Sequence, residues 1–176
     1  MVGRSMLRSA TIRRNAADLW EGSFHPGNVH PASITLALLA RAFQKLPPSV
    51  REVRVRADSA FYSHEIVNFL KEHGAFFTIA VRFMPPMKAR LAGLRYHRAA
   101  GDVAVAEFRY QPHQWQESER FIALRRPVPE EPTWQLSLFQ MKGYSCQVLV
   151  TNLPLTGYHL WRFYNSRATP DSSSAN

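Results

Sequence analysis

The segment spanning residues 53–65 constrains the fold most, because it changes from a strand pattern to a helix pattern across a single aspartate. Apolar and basic residues alternate in Val53–Arg56, which is the period of a strand with one buried face. Asp58 follows at the end of this strand. In α/β proteins the sheet fixes a side chain at that place and the loop leaves it open to solvent. Asp58 is therefore the first candidate catalytic residue, and a cap or turn role is the competing interpretation.

A strand–helix–strand unit surrounds this aspartate. Ser63–His73 has its apolar residues on one helical face, Gly74 stands where a helix ends, and Ala75–Val81 has the pattern of a second strand. Such units cross over right-handedly and pair in parallel, so the sequence predicts an α/β fold. Between about residues 100 and 152 the pattern changes to short alternating strands. We expect a β-rich insertion there.

The charge composition indicates a polyanionic partner. The chain has 22 Lys plus Arg against 13 Asp plus Glu, a net charge of +9, and 18 of the 22 cations are arginine. Guanidinium groups pair bidentately with phosphate oxygens, so DNA is the expected partner. A genomic base composition that inflates arginine is the alternative explanation.

Several other classes of protein are not expected. The single cysteine, Cys146, lies in an apolar run, so the sequence has no disulfide framework. No segment approaches the length of apolar sequence that a membrane span needs, which predicts a cytoplasmic protein without a membrane partner. The seven histidines show no spacing typical of zinc ligands.

An ordered set of motifs resembles the DDE-type insertion-sequence transposases. Arg56–Phe61, followed by a short helix, Gly74 and the strand at 76–81, is similar to the segment around the second catalytic aspartate of that family. Upstream, Ser23–His30 resembles the Arg-Pro-Gly-Asn turn before the first core helix, with His25 where an arginine is usual.

Later segments continue the resemblance in the same order. Trp115 with Arg120, Gln135–Phe139 and Val150–Asn152 resemble strands inserted late in that fold. Trp161–Ala168 is similar to the start of the helix that carries a Tyr-x-x-Arg-x-x-x-Glu signature. The resemblance spans roughly residues 20 to 168.

The resemblance implies an incomplete ribonuclease-H-like α/β core with a β-rich insertion at about 100–152. We expect a partial transposase domain at 19–168, a basic, poorly ordered arm at 1–18 and a disordered tail at 169–176. The chain is then a transposase domain truncated at both ends. Exposed strand edges left by a missing strand invite self-association or another partner.

In the family, three carboxylates hold two divalent metal ions, usually Mg²⁺. The resemblance makes Asp58 the second of these, a catalytic residue and a metal ligand. The first belongs on an opening strand that we expect to be missing, and Asp18 lies too close to the Pro-Gly-Asn turn to replace it. The position of the third, four residues after Arg167, holds Asp171. Pro170 breaks the helix directly before Asp171, which argues against this candidate metal ligand.

Tyr164 and Arg167 are three residues apart and share a helical face. The resemblance implies that they contact DNA, whereas the competing interpretation is core packing by Tyr164 and a favourable helix-end charge on Arg167. For Trp115 the alternatives are packing within the insertion and stacking on a base.

The functional expectation is a fragment of a DDE transposase. Its ancestral role would be metal-dependent cleavage and strand transfer of DNA in transposition, and we expect it to be inactive alone. The alternative is a non-catalytic DNA-binding remnant that interferes with an intact transposase. An unrelated metal hydrolase would require a second ligand near Asp58, and the sequence shows no clear one. Whether the chain is itself an enzyme stays open at this point.

Overall fold

The described part of the chain alternates helices and strands in its first half and consists mainly of strands in its second. The computed structural model describes residues 11–12, 31–128, 140–141 and 143–165. The elements in chain order are β1 (Thr11–Ile12), α1 (Pro31–Gln44), β2 (Arg54–Ala57), a 3₁₀ turn (Ser59–Phe61), α2 (His64–Glu72), β3 (Phe76–Ala80), α3 (Pro85–Ala92), β4 (His97–Ala100), β5 (Val103–Tyr110), β6 (Glu119–Pro127), β7 (Gln140–Met141), β8 (Tyr144–Thr151) and α4 (Gly157–Asn165).

Several sequence predictions fall outside these residues. They concern the arm at 1–18 apart from residues 11–12, Asp18, the turn at 23–30, the segment 135–139, Arg167, Pro170, Asp171 and the tail at 169–176.

The described strands form one mixed sheet. Its order is β1-β2-β3-β8-β6-β5-β4, and β7 pairs with β8 off this path. β2 and β3 are parallel, with Val55 opposite Phe77, and α2 crosses between them. The remaining described pairs are antiparallel. The predicted α/β class is therefore confirmed, and the strand–helix–strand unit around Asp58 is present.

One face of the sheet is covered by helices α1, α2 and α3. α2 begins where the Ser63 hydroxyl accepts a hydrogen bond from the amide of Ile66, at 3.3 Å. Its last residue is Glu72, and the chain turns away at Gly74, whose φ of 63° is a conformation that glycine adopts without strain. The buried side chains on this face come from every second residue of the strands, which is why the alternating pattern predicted them. They include Val55, Ala57, Phe77, Ile79, Phe108, Phe121, Ala123, Val148 and Val150.

Among the described helices, α4 alone packs on the opposite face. Its Leu160 is fully buried in a cluster with Val105, Ile122 and Leu149. The first residue of the helix, Gly157, sits against the side chains of Val105 and Ile122, where a Cβ atom would overlap the Val105 methyl group. Glycine is required here for the helix to approach the sheet this closely.

The parallel pair β2–β3 joins the larger antiparallel part of the sheet between β3 and β8. Asn152 extends this junction beyond the last residue of β8. Its side-chain oxygen accepts from the amide of Phe77 at 2.7 Å, and its side-chain nitrogen donates to the carbonyl of Ala75 at 2.9 Å. The side-chain amide thus imitates a peptide group and continues the pairing. The sequence Val150–Asn152 therefore has a direct structural role.

Candidate active site around Asp58

Asp58 lies where the sequence predicted it, at the carboxyl end of a strand of the sheet. β2 ends at Ala57, and the Asp58 side chain that follows is exposed. β3 is parallel to β2, so the residues after it lie at the same edge of the sheet. Arg82 is one of them, and its Nε donates a hydrogen bond to the carbonyl of Ser59 at 3.0 Å. The loop that carries Asp58 is thereby attached to the end of the neighbouring strand.

The Asp58 side chain also caps the 3₁₀ turn that follows it. Its Oδ1 accepts a hydrogen bond from the amide of Ala60 at 2.8 Å. The cap that the competing interpretation predicted is therefore present in the structure. A carboxylate has two oxygens and about four acceptor sites, so one hydrogen bond leaves acceptor capacity on an exposed group. The cap fixes the orientation of the carboxylate and therefore the direction of its remaining acceptor sites.

Arg56 joins the strand before Asp58 to the end of helix α4. Its Nη1 donates to the carbonyls of Phe163 and Tyr164, at 3.0 and 3.1 Å. These carbonyls lie in the last turn of α4, where an intrahelical partner is lacking and a positive charge is favourable. Arg56 alternates with the buried residues Val55 and Ala57 and so faces α4 from the opposite side of β2.

Tyr164 is brought into electrostatic range of Asp58. Burial raises the pKa of the Tyr164 phenol, the negative charge of Asp58 raises it further, and the positive charge of Arg56 opposes both. Two of the predicted site residues, from motifs that are far apart in the chain, are therefore neighbours. Their sequence separation gave no direct signal of this proximity, and the role of Arg56 in producing it was missed.

The described residues do not assemble a complete metal site. No group of three or more His, Cys, Asp or Glu side chains within them is arranged to hold a metal ion. Asp58 is thus the single predicted ligand whose surroundings are known, because Asp171 falls outside the described residues. One carboxylate is of the right chemical type for Mg²⁺, which prefers oxygen ligands, but does not make a site.

Trp115 packs beside the start of α2. It lies in the loop between β5 and β6, half-buried, with its ring centroid 5.4 Å from that of Tyr62 and 5.5 Å from that of His64. Burial raises the pKa of Tyr62, and the charge of Tyr110 adds to the increase. This geometry agrees with the packing interpretation of Trp115. Its aromatic partners on the segment after Asp58 were not evident from the sequence.

The same loop is fixed to α2 by an ion-pair network. The Lys71 Nζ lies 2.7 Å from a Glu117 oxygen and 2.8 Å from a Glu119 oxygen. Hydrogen bonds to Glu117 and then Glu119 raise the pKa of Lys71. This contact places the β5–β6 loop firmly against the helix that follows the candidate site.

Comparison with known proteins adds a family relationship. The model of a family described as the transposase DDE domain matches residues 22–169, which include Asp58, Tyr164 and Arg167. The comparison with curated proteins finds no match. In the described part of the chain, no helix has both the length and the apolar character required to cross a membrane.

Proposed function

Because this chain belongs to the transposase DDE domain family, we propose that it acts on DNA in transposition. The observation that carries the proposal is the exposed Asp58 carboxylate at the carboxyl end of β2, with Tyr164 of α4 beside it. In this proposal β2, α2 and β3 belong to a ribonuclease-H-like core. Strands β4 to β8 then form the β-rich insertion between that core and α4.

Asp58 is proposed as a catalytic residue and one of the carboxylate ligands of a divalent metal ion, Mg²⁺. Such ions, when bound, activate the attacking oxygen and stabilise the leaving oxygen of a phosphodiester. The cap to Ala60 and the contact between Arg82 and Ser59 hold the Asp58 loop in one position. A preorganised carboxylate is what a metal ligand requires.

Tyr164, which lies next to this carboxylate, and Arg167 are proposed to contact DNA. A phenol donates a hydrogen bond and a guanidinium forms a bidentate pair with a phosphate. Arg56 supports this arrangement because it fixes the last turn of α4 to β2. The position of Tyr164 relative to Asp58 then depends on a side chain that needs no contact with DNA.

We further propose that the chain does not cleave DNA alone. Asp171 is the residue proposed for the third metal ligand, and Pro170 before it is incompatible with a continuous helix. The test is incubation of the purified chain with supercoiled plasmid and Mg²⁺ or Mn²⁺, beside an Asp58→Asn variant. We expect no nicking by either protein. Nicking that the variant loses would disprove inactivity and support the catalytic role of Asp58, whereas nicking by both would contradict that role.

The second candidate function is a non-catalytic DNA-binding protein that interferes with an intact transposase. The net charge of +9, carried mainly by arginine, favours it. Its test is binding to duplex DNA that is salt-dependent and unchanged in Asp58→Asn, together with reduced activity of an added intact transposase. Absence of binding at low salt would remove this candidate.

A further inference from the structure

One continuous segment of the chain carries positive charge without any acidic residue. Residues 82–101, the α3 basic segment, contain five cations and no Asp or Glu. The cations are Arg82, Lys88, Arg90, Arg95 and Arg98, and all five are exposed. Surfaces that only need to be soluble normally mix both signs of charge.

The packing of α3 explains why these cations point outward. Met87 and Leu91 are buried against the sheet, one turn apart on the same face. Lys88 and Arg90 therefore lie on the remaining, solvent-facing part of the helix. The eight residues of α3 extend over about 12 Å at about 1.5 Å per residue.

The first residue of the α3 basic segment lies beside the candidate active site. Arg82 donates its hydrogen bond to Ser59, the residue directly after Asp58. A molecule bound along this segment would therefore begin at the Asp58 loop. This position links the charge to the proposed function.

A stacked arginine lies at the other end of the α3 basic segment. The Arg125 guanidinium, from β6, lies 4.0 Å from the ring centroid of Tyr96 and 4.5 Å from that of Tyr144. Tyr96 belongs to the segment, so the half-buried Arg125, whose Nε is buried, continues the positive charge from the segment onto the sheet. Two aromatic contacts hold the guanidinium plane in place, and a fixed plane loses little entropy when it pairs with a phosphate.

Asp102, which directly follows the segment, is an exposed acidic residue, whereas Glu107, Glu117 and Glu119 are each paired with a cation. Glu107 forms an ion pair with Arg120 at 2.7 Å, and Lys71 pairs with Glu117 and Glu119. Lys88 and Arg95, by contrast, form no ion pair with any residue that the structure describes. The positive charge of the α3 basic segment is thus available to an external partner.

We propose that the α3 basic segment and Arg125 bind the phosphate backbone of duplex DNA that continues from the Asp58 site. Contacts of Lys and Arg with phosphates position a duplex without reading its bases. The binding is therefore independent of sequence and sensitive to salt. This inference rests on the proposed function and assigns it a DNA-binding surface apart from Tyr164 and Arg167.

The experiment measures binding of the full chain to a labelled duplex of mixed sequence by fluorescence anisotropy over a salt series. One double variant, Lys88→Gln with Arg95→Gln, removes two charges from the α3 basic segment. The matched control, Lys45→Gln with Arg51→Gln, removes two exposed charges at and after the end of α1. The two variants have the same net charge and differ in where the charge is lost.

The first variant should weaken binding about tenfold at low salt and reduce the slope of log K against log salt by about 2, since each phosphate contact contributes about 0.9. The control should change both quantities much less. Equal effects in the two variants would show that only net charge matters and would overturn the inference. A wild type that binds while the first variant keeps its slope would overturn this surface alone, and a wild type that does not bind would overturn the proposed function as well.

Arg125 is tested separately because it is packed between two rings. Arg125→Lys keeps the charge but loses the planar guanidinium, and Arg125→Gln loses both. We expect weaker binding in both, with the larger loss for glutamine, when circular dichroism shows an intact fold. Unchanged binding in Arg125→Gln would remove Arg125 from the surface, and the Lys88 and Arg95 variant still decides the rest.

Discussion

The carboxylate of Asp58 lies close enough to the phenol of Tyr164 for its charge to raise the pKa of that tyrosine. The contact that allows this involves neither of these two side chains. Arg56, two positions before Asp58 on β2, binds the carbonyls at the end of α4. Motifs that are far apart in the chain are thereby joined at one edge of the sheet.

Asp58→Asn should lower the pKa of Tyr164, because the variant removes a negative charge that disfavours ionisation of the phenol. The measurement is a titration of ¹³C-labelled tyrosines by NMR, with Tyr164→Phe to assign the signal. Asp102→Asn removes an equally negative, exposed side chain in the β4–β5 turn and serves as the control. A Tyr164 titration that is the same in both variants would contradict the proximity.

The cap made by Asp58 predicts a difference between two substitutions. Asp58→Ala removes the acceptor for the Ala60 amide and should lower the free energy of unfolding by about 1 kcal/mol. Asp58→Asn keeps an acceptor at the same place and should lower the free energy of unfolding by only about a few tenths of 1 kcal/mol. Urea unfolding of the two variants measures the difference. Equal stability would mean that the cap contributes nothing.

Arg56→Ala should be more destabilising than Arg54→Ala on the same strand. Arg56 loses two hydrogen bonds to helix carbonyls, and hydrogen bonds to charged groups contribute about 1.5–3 kcal/mol. Arg54 loses an exposed ion pair with Glu52, which contributes at most about 1 kcal/mol. Urea unfolding gives both values, and hydrogen exchange should show faster exchange in α4 only for Arg56→Ala. Unchanged exchange in α4 would refute the role of Arg56.

Gly157→Ala should disturb the seating of α4. The added methyl group would overlap a Val105 methyl group and crowd Ile122 at 3.1 Å, and overpacking of this kind costs about 1–3 kcal/mol. Gly93→Ala is the matched control, because the nearest atom to its Cβ would be the Arg90 carbonyl oxygen at 3.8 Å. The control should be neutral or slightly stabilising. Thermal unfolding compares them, and equal melting temperatures would show that α4 can move away from the sheet.

Tyr96 predicts a loss of stability at high pH. Burial raises its pKa from 10.0 to about 12, with a contribution from Cys146 and an opposing one from Arg125. The folded state therefore holds the proton where the unfolded state releases it, so stability falls as pH rises from about 10 to 12. Urea unfolding at both ends of this range should show a smaller fall for Tyr96→Phe than for the wild type. An identical fall would show that Tyr96 does not contribute.

Local patterns predicted the parts of the fold that depend on neighbouring residues. The alternation at Val53–Arg56 gave β2, the apolar face of the next segment gave α2, and Gly74 marked its end. In the strand and in the helix, the spacing of the apolar residues places them on the face that is buried. Asp58 followed from the same logic, because its place depends only on where β2 ends.

The rest of the candidate site depends on contacts between distant segments. No local period indicates that Arg56 binds the end of α4 or that Trp115 packs on Tyr62 and His64. Likewise, Gly157 has no special backbone conformation that a turn signal could reveal. Only the opposing side chains leave no room for a Cβ atom at this position. Family resemblance located the motifs, and tertiary packing decided how they meet.

Strand β8 pairs with β3 along one edge and with β6 along the other, and this double pairing connects the two parts of the sheet. The part of the sheet next to Asp58 and the part that holds Arg125 are therefore hydrogen-bonded to the same strand. One continuous sheet sets their spacing, and DNA that touched both would span groups carried on a single scaffold.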